Sequence, residues 1–280
     1  MKAKTLKRWL ITGVSSGLGA ALSKAALSRG DAVLGTVRKA KDGKAFVARG
    51  GANAYASVCD IADPAQTRDA VATAVKTMGG VDILVNNAGY CLTGPFEEIS
   101  NEEARRQLDV NLFGALNLIR NILPHYRSAG GGRIINITSL AAETGFPGMS
   151  LYSASKAALH MFSEALAKET AAFGVKVTAV APSGFRTQFA GSSMQFSDAK
   201  LECYNGLRDK LEVRLKVSNG AQPNDPEKAA NALLGLADDP DPPTFYALGA
   251  DAAERLSVML DNRVAAYNES HRLGADTLCE

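Results

Sequence analysis

The stretch from Trp9 to Val37 constrains the fold more than any other part of the chain. An apolar run at Trp9 to Thr12 reads as a strand, a glycine-bearing turn follows, a helix is expected from about Ser16 to Ser28, and Ala32 to Val37 reads as a second strand. Strands joined through a helix pair in parallel, and parallel sheets carry helices on both faces, so their strands read as continuous apolar runs. Such runs recur at Ala54 to Val58, Val81 to Val85, Arg133 to Thr138, Lys176 to Ala181 and Thr244 to Leu248, with helix-length segments between most of them. The expected architecture is a doubly wound α/β fold of about seven parallel strands with helices on both faces. Gly130-Gly131-Gly132 is too short for a linker and leads straight into a strand, so residues 1–280 read as one domain.

Several helix ends are written into the sequence. Ser100 with Glu103 makes a capping box, Asp63 precedes Pro64, and Asp225-Pro226 opens a helix to about Ala237. From about Asn101, residues Leu108, Leu112, Ala115, Leu116, Ile119, Ile122 and Leu123 form an apolar stripe too broad for a helix that only rests on a sheet. A second copy of the chain is expected against that face and the Tyr152 helix, in a homodimer or homotetramer.

Charge narrows the partners. With 31 Lys and Arg against 29 Asp and Glu, the net charge of +2 gives no field suited to nucleic acid or a membrane surface. No apolar run approaches the roughly 20 residues of a membrane span, and Met1 to Thr12 passes from basic residues directly into a strand, unlike a signal peptide. Cys59, Cys91, Cys203 and Cys279 include no CxxC pair, and His125, His160 and His271 are scattered, so no metal cluster is readable. A reducing compartment, the cytoplasm, and small-molecule partners are expected.

Thr12-Gly13-Val14-Ser15-Ser16-Gly17-Leu18-Gly19 joins the first strand to the first helix. There, backbone amides and a helix N-terminus can meet a pyrophosphate, and glycines keep Cβ atoms out of its way. The bland alternative is a tight strand-to-helix turn. Proteins that prefer NAD place a carboxylate at the end of the second strand, for the ribose hydroxyls. This chain has Thr36-Val37-Arg38-Lys39 instead. The Arg38 guanidinium suits a 2′-phosphate, which favours NADP(H) over NAD(H); the alternative is a solvated basic loop edge. Tyr152 and Lys156 lie four apart in a segment to Phe173 that reads as a helix, so they share one face, and Ser139 ends the preceding strand.

With Asn111, Ser139, Tyr152 and Lys156 in this order after a glycine turn, the sequence resembles the short-chain dehydrogenase/reductase family, of the compact single-domain kind, from about Arg8 through Thr187. The family's Thr-Gly-x-x-x-Gly-x-Gly turn is Thr12 to Gly19, and its Asn-Asn-Ala-Gly is Asn86 to Gly89. The resemblance implies a Rossmann-type fold and catalysis by Asn111, Ser139, Tyr152 and Lys156. It implies cofactor contacts from Gly13, Ser15, Ser16, Gly17, Leu18 and Gly19, from Arg38, Asp60 and Ile61, from Asn87, Ala88 and Gly89, from Tyr152 and Lys156, and from Pro182, Gly184 and Thr187. Asp60 matches the family's residue on the adenine edge, and Ser183 stands where the family has glycine. Tyr152 would act as proton donor, its pKa of about 10 depressed by Lys156 and a cationic nicotinamide. Ser139 would hold the substrate oxygen, Lys156 would bond the nicotinamide ribose, and Asn111 would keep a water. Taken singly, each has a structural alternative: Asn111 bending its helix, Ser139 ending a strand, Tyr152 packing its ring, Asp60 shaping the turn before Pro64.

Substrate choice is expected from Phe185 to Gly220, where Leu201, Tyr204, Leu207, Leu211 and Leu215 suggest a lid helix over about Asp198 to Val217. Phe189, Met194, Phe196 and Tyr204, with Cys91, Leu92, Phe146 and Met149, suggest a roomy apolar pocket. Asp251 to about Ser270 reads as an amphipathic C-terminal helix, with packing on its own domain as the default, and His160 reads as a packed or interfacial histidine. The implied activity is interconversion of a ketone and a secondary alcohol with NADP(H), reduction of a hydrophobic or cyclic carbonyl compound foremost. The alternatives are an NAD-linked secondary-alcohol dehydrogenase and a non-catalytic dinucleotide sensor.

Overall fold

Side chains of the central strand leave alternately to two cores, and that alternation sets the layering. The computed structural model describes residues 6–191 and 193–274; Met1 to Thr5 and Cys279 lie outside them. The strands are β1 (Arg8–Thr12), β2 (Ala32–Val37), β3 (Ala54–Val58), β4 (Ile83–Asn86), β5 (Cys91–Thr93), β6 (Gly132–Ile137), β7 (Val175–Pro182), β8 (Met194–Phe196) and β9 (Phe245–Leu248). The helices are α1 (Gly17–Ser28), α2 (Ala40–Gly50), α3 (Pro64–Met78), α4 (Asn101–Leu108), α5 (Gly114–Ala129), α6 (Ser150–Thr170), α7 (Asn205–Ser218), α8 (Pro226–Asp238) and α9 (Ala252–Gly274).

Seven strands pair in the order β3-β2-β1-β4-β6-β7-β9, all parallel. This is the expected Rossmann-like arrangement. Trp9 and Ile11 pack with α1, α2 and α8 on one face, whereas Leu10, Leu34, Leu84 and Ile134 pack with α3, α5 and α6 on the other. Asp63 caps α3, the Ser100–Glu103 box closes on α4, and Asp225 caps α8, as their sequence signatures predict. α9 packs Ala252 and Leu256 against Leu140 and Ala181, so at least that face of the C-terminal helix serves its own fold. His160 is packed, its ring stacked on Phe245 at 4.9 Å and its Nδ1 2.5 Å from Glu143.

Three features depart from the sequence reading. The helix expected from Asn101 is interrupted by a π-turn at Asp109–Phe113, whose extra residue per turn swings Asn111 inward. Two three-residue strands, β5 and β8, form a separate parallel pair that pins the segment after β7 to the loop after β4. The expected lid helix is shorter at its start, because Glu98 captures the chain before it: Leu201 N donates to Glu98 Oε1 at 2.8 Å, and the Arg208 guanidinium bonds the same carboxylate. Glu98 is buried, and although burial alone would raise its pKa, those hydrogen bonds hold it below the usual carboxylate range. Among the described residues no helix is long and apolar enough to cross a membrane, and no cluster of His, Cys, Asp or Glu forms a metal site.

Candidate active site

Between β1 and β4 the strand order reverses, and the chain ends diverge to open a cavity of about 630 Å³. One wall is the glycine turn. Gly13 and Gly17 have φ of +73° and +61°, a region that favours glycine. The Thr12 hydroxyl accepts from the backbone amides of Asn87 and Ala88, each at 2.9 Å, and Asn87 Nδ2 donates to Thr12 O at 2.8 Å and Gly13 O at 3.2 Å. A Cβ on Gly19 would stand 2.4 Å from Asn87 Nδ2 and from Gly13 O, so the clasp closes only around glycine. Ser16 precedes α1 without a side-chain capping bond, so no side chain occupies the first-turn amides of the helix that faces the cavity. A diphosphate fits this cradle: bare glycine backbone, unspent amides and the positive end of a helix.

Gly13, Ser15, Ser16, Gly17 and Leu18 line the cavity; Gly19 does not, and its work is to admit Asn87. Arg38, Asp60 and Ile61 line the far end, together with Arg106 and Val110, which the sequence reading passed over. Asp60 Oδ1 accepts from Ala62 N at 3.1 Å and Oδ2 pairs with Arg106 at 2.7 Å, so it shapes its turn and faces the cavity at once. Partial burial opposes its charge, but the Arg106 bond and the nearby Arg38 hold the Asp60 pKa below normal. Arg106 sits in the charge-rich run Glu102 to Arg106, and the fold turns it toward Asp60.

Tyr152, Lys156 and Ser139 meet at the opposite end, with Asn87, Ala88 and Gly89 between. Tyr152 and Lys156 are each 4% exposed, one turn apart on α6, and Lys156 Nζ lies 6.0 Å from the Tyr152 ring centroid. Lys156 Nζ donates to Ile137 O at 2.8 Å. Ser139 Oγ accepts from Ala141 N at 3.1 Å, and Ser139 and Tyr152 line the same cavity. Asn111 does not line the cavity but stands behind it: Nδ2 donates to Tyr90 O at 2.9 Å and Ser155 Oγ at 3.1 Å, and Oδ1 accepts from Tyr90 N at 3.0 Å. A Cβ on Gly89 would sit 3.1 Å from Asn111 Oδ1 and 3.5 Å from Lys156 Nζ, so glycine keeps that corner open. Gln107, buried one turn before Asn111, braces the same loop by accepting from Leu92 N at 2.6 Å and donating to Tyr90 O at 3.0 Å; its i, i+4 spacing from Asn111 is the signal that could have found it.

Burial pushes the Tyr152 phenol above the usual tyrosine range, Cys91 adds in the same direction, and the Ser139 hydroxyl opposes both. Burial also lowers the Lys156 ammonium to about 8. Burial thus sets the direction for the phenol in the protein by itself; the expected depression needs Lys156 and a bound cationic nicotinamide together.

Pro182, Gly184 and Thr187 line the cavity beyond Tyr152. Ser183, which replaces the family's glycine, donates to Asp251 Oδ1 at 2.7 Å and accepts from Asn224 Nδ2 at 2.9 Å, tying this loop to the start of α9. Partial burial would raise the Asp251 carboxyl, but bonds from Ser183, Asn224 and Arg255 hold it at about 2. Of the expected apolar pocket, Phe146, Met149, Phe189 and Met194 line the wall. Phe196, Tyr204 and Leu92 do not, and Cys91 packs behind Tyr152. Leu211, Arg214 and Leu215 of α7 close the far side.

A parallel α/β sheet with a glycine cradle and a buried Tyr–Lys pair in one cleft defines a nicotinamide-nucleotide oxidoreductase. The family model described as short chain dehydrogenase matches residues 7–197, and the chain belongs to that family. It is 36% identical over 249 residues to oxidoreductase BOA17 of Botryotinia fuckeliana, covering 89% of this chain and 90% of that one. A short-chain dehydrogenase from Streptomyces avermitilis superposes with a TM-score of 0.87 at 38% identity, over 98% of both chains. The 3-ketoacyl-(acyl-carrier-protein) reductase from Brucella melitensis, solved as a complex with NADH, gives a TM-score of 0.73 at 26% identity, over 86% of this chain and 95% of that one.

Replacing Gly19 by Ala forces the turn and the Asn87 amide apart. We expect a loss of about 1–3 kcal/mol in urea unfolding, as for other overpacked sites, with weaker binding of the dinucleotide in fluorescence titration. Unchanged stability and binding would contradict the clasp.

Proposed function

We propose that this chain reduces a hydrophobic ketone to a secondary alcohol with NADPH, working as a single catalytic unit. One observation carries the reading: the buried Tyr152–Lys156 pair and the glycine cradle open onto the same cavity. Gly13, Ser15, Ser16, Gly17 and Leu18 would hold the pyrophosphate, Asp60 and Ile61 the adenine, Arg38 the 2′-phosphate, and Asn87, Ala88, Gly89 and Lys156 the inner ribose. Pro182, Gly184 and Thr187 would flank the nicotinamide. When bound, NADPH supplies the hydride.

Every other task falls to the chain. Tyr152 keeps its proton at Oη, since burial disfavours the phenolate, and delivers it to the carbonyl oxygen as negative charge develops there. Ser139 Oγ orients that oxygen beside the phenol. Lys156 brings positive charge behind the phenol, and Asn111, by fixing Tyr90 and Ser155, steadies the loop that faces it. Phe146, Met149, Phe189 and Met194 exclude water and favour an apolar substrate. Association of copies through α5 and α6 goes with this reading, as does a cytoplasmic setting: Phe113, at the end of the π-turn that leads into α5, and Met161 of α6 are 48% and 56% exposed.

NAD(H) is the second reading, supported by the NADH complex of the Brucella reductase. Arg38 is exposed at the cavity's far end, and the one acid in the cavity lining, Asp60, is already paired with Arg106. This favours the 2′-phosphate.

Three measurements test the proposal. In Tyr152→Phe, NADPH oxidation with a ketone panel falls about 10²- to 10⁴-fold while the NADPH dissociation constant stays within about threefold; full activity in the variant overturns the mechanism. In Arg38→Ala, the ratio of kcat/KM for NADPH over NADH drops about tenfold, the worth of one charge-assisted hydrogen bond. An unchanged ratio returns the choice to NAD(H). Lys156 is charged below about pH 8 and loses its proton above it. With NADPH as the varied substrate, kcat/KM should therefore fall on a single limb near pH 8; a profile flat to pH 10 removes the ammonium from the mechanism.

A further inference from the structure

The cavity end next to Tyr152 holds a cation that neither the fold nor the mechanism consumes. Arg214 projects from α7 into the cavity wall beside Leu211 and Leu215, and its guanidinium lies over the Phe146 ring, 5.5 Å from the centroid. Phe146 packs in turn on the cluster around Tyr152, so the cation stands one aromatic ring away from the reacting phenol's own packing shell.

Its own helix offers it no counter-charge. The positions three and four residues away are Lys210, Leu211, Val217 and Ser218. Glu212, the acid two residues before it, pairs with Lys216 at 3.7 Å. Among the described residues no carboxylate lies within 4.0 Å of Arg214. The cavity lining contains one acid, Asp60, at the opposite end and bonded to Arg106 at 2.7 Å. The other two cations near the substrate end are engaged: Lys156 with Ile137 O, and Arg255 with Asp251 at 3.2 Å.

We propose that Arg214 is a specificity residue that receives an oxyanion, so that the preferred substrate is a hydrophobic ketone carrying a carboxylate or phosphate away from its carbonyl. This inference rests on the proposed reductase activity and narrows its substrate. A planar guanidinium held over an aromatic face presents its N–H fork in a fixed direction, which matches a carboxylate or phosphate. Apolar walls between that fork and Tyr152 would take the intervening carbon chain. Arg214 is exposed at the cavity wall, so an oxyanion gains a charge-assisted bond tempered by solvent there, whereas a neutral ketone gains nothing from the charge, and the difference is selectivity.

The test compares a medium-chain keto acid with its methyl ester, using the full chain and NADPH, in wild type and in Arg214→Met, which keeps much of the side chain's length without its charge. Wild type should prefer the acid about tenfold in kcat/KM, mainly through KM, and in the variant the acid-to-ester ratio should fall to within about twofold of one. No preference in wild type, or a preference that survives in the variant, overturns the proposal. Calorimetric titration of a non-reducible alkanoate and of the matching alkyl phosphate reads the site without turnover. Binding of either that weakens about tenfold in Arg214→Met supports the oxyanion site even if no ketone is reduced, which would count against the reductase reading alone. Tighter binding of one anion assigns the source, and equal affinity in both proteins for both anions removes the site.

Discussion

Thr12 and Asn87 clasp the two strand ends between which the cleft opens, and the site is arranged around that contact. Parallel strands end with carbonyls and amides that the sheet no longer pairs, and at a switch in strand order two such ends splay apart. Here the Thr12 hydroxyl satisfies the amides of Asn87 and Ala88, and the Asn87 amide satisfies Thr12 O and Gly13 O. The turn after β1 and the loop after β4 therefore move as one piece. The nucleotide cradle and the wall that carries Gly89 toward Lys156 are both set by these short bonds.

The same burial that makes the cleft also sets its electrostatics. Tyr152 and Lys156 each lose solvent, and each is pushed toward its neutral form, the phenol upward and the ammonium downward to about 8. A neutral phenol suits a proton donor. The reverse reaction needs the phenolate, which in this setting is favoured only when positive charge is brought close. The protonation state of the phenol is thus coupled to the charge of the bound dinucleotide, and a change in it alters the rate in both directions without shifting the equilibrium between them.

Much of this was legible in the sequence because it is local. Asp63-Pro64, Ser100 with Glu103 and Asp225-Pro226 specify helix starts through bonds spanning three residues or fewer, and each formed as read. The glycine turn and the Tyr152–Lys156 spacing are local too. What escaped depends on distant partners. The β5–β8 pair joins residues about a hundred positions apart, with three-residue strands that carry no period of their own. The π-turn at Asp109–Phe113 carries an Asn111 side chain bonded to distant Tyr90, and Arg106 matters because the fold sets Asp60 opposite it. Apolar spacing in the lid reads as helical around Leu211 and Leu215 but does not say which side meets the cavity, and Tyr204, like Phe196 of β8, lies outside the cavity lining. The burial of the phenol is of the same kind: the neighbouring charge is visible in sequence, and the loss of solvent that pushes the phenol upward is not.

The parts proposed to carry reaction and selectivity are held in place in different ways. Tyr152, Lys156 and Asn111 stand on elements locked into the sheet cores, where a shift of one side chain disturbs several buried hydrogen bonds. α7 is fastened at its start by Glu98, which takes bonds from Leu201 N, Arg208 and Ser197 Oγ, and it rests on Gly148, where a Cβ would meet Leu211 at 2.4 Å. Beyond those anchors its outward face is free of the sheet. Substitutions at Arg214 or Leu215 can therefore retune what the cavity admits without disturbing the groups that move the proton, because the anchoring bonds lie at Glu98 and Arg208 rather than along the cavity wall. A lid fixed at one end and variable along its inner face lets one scaffold keep its chemistry while its substrate changes.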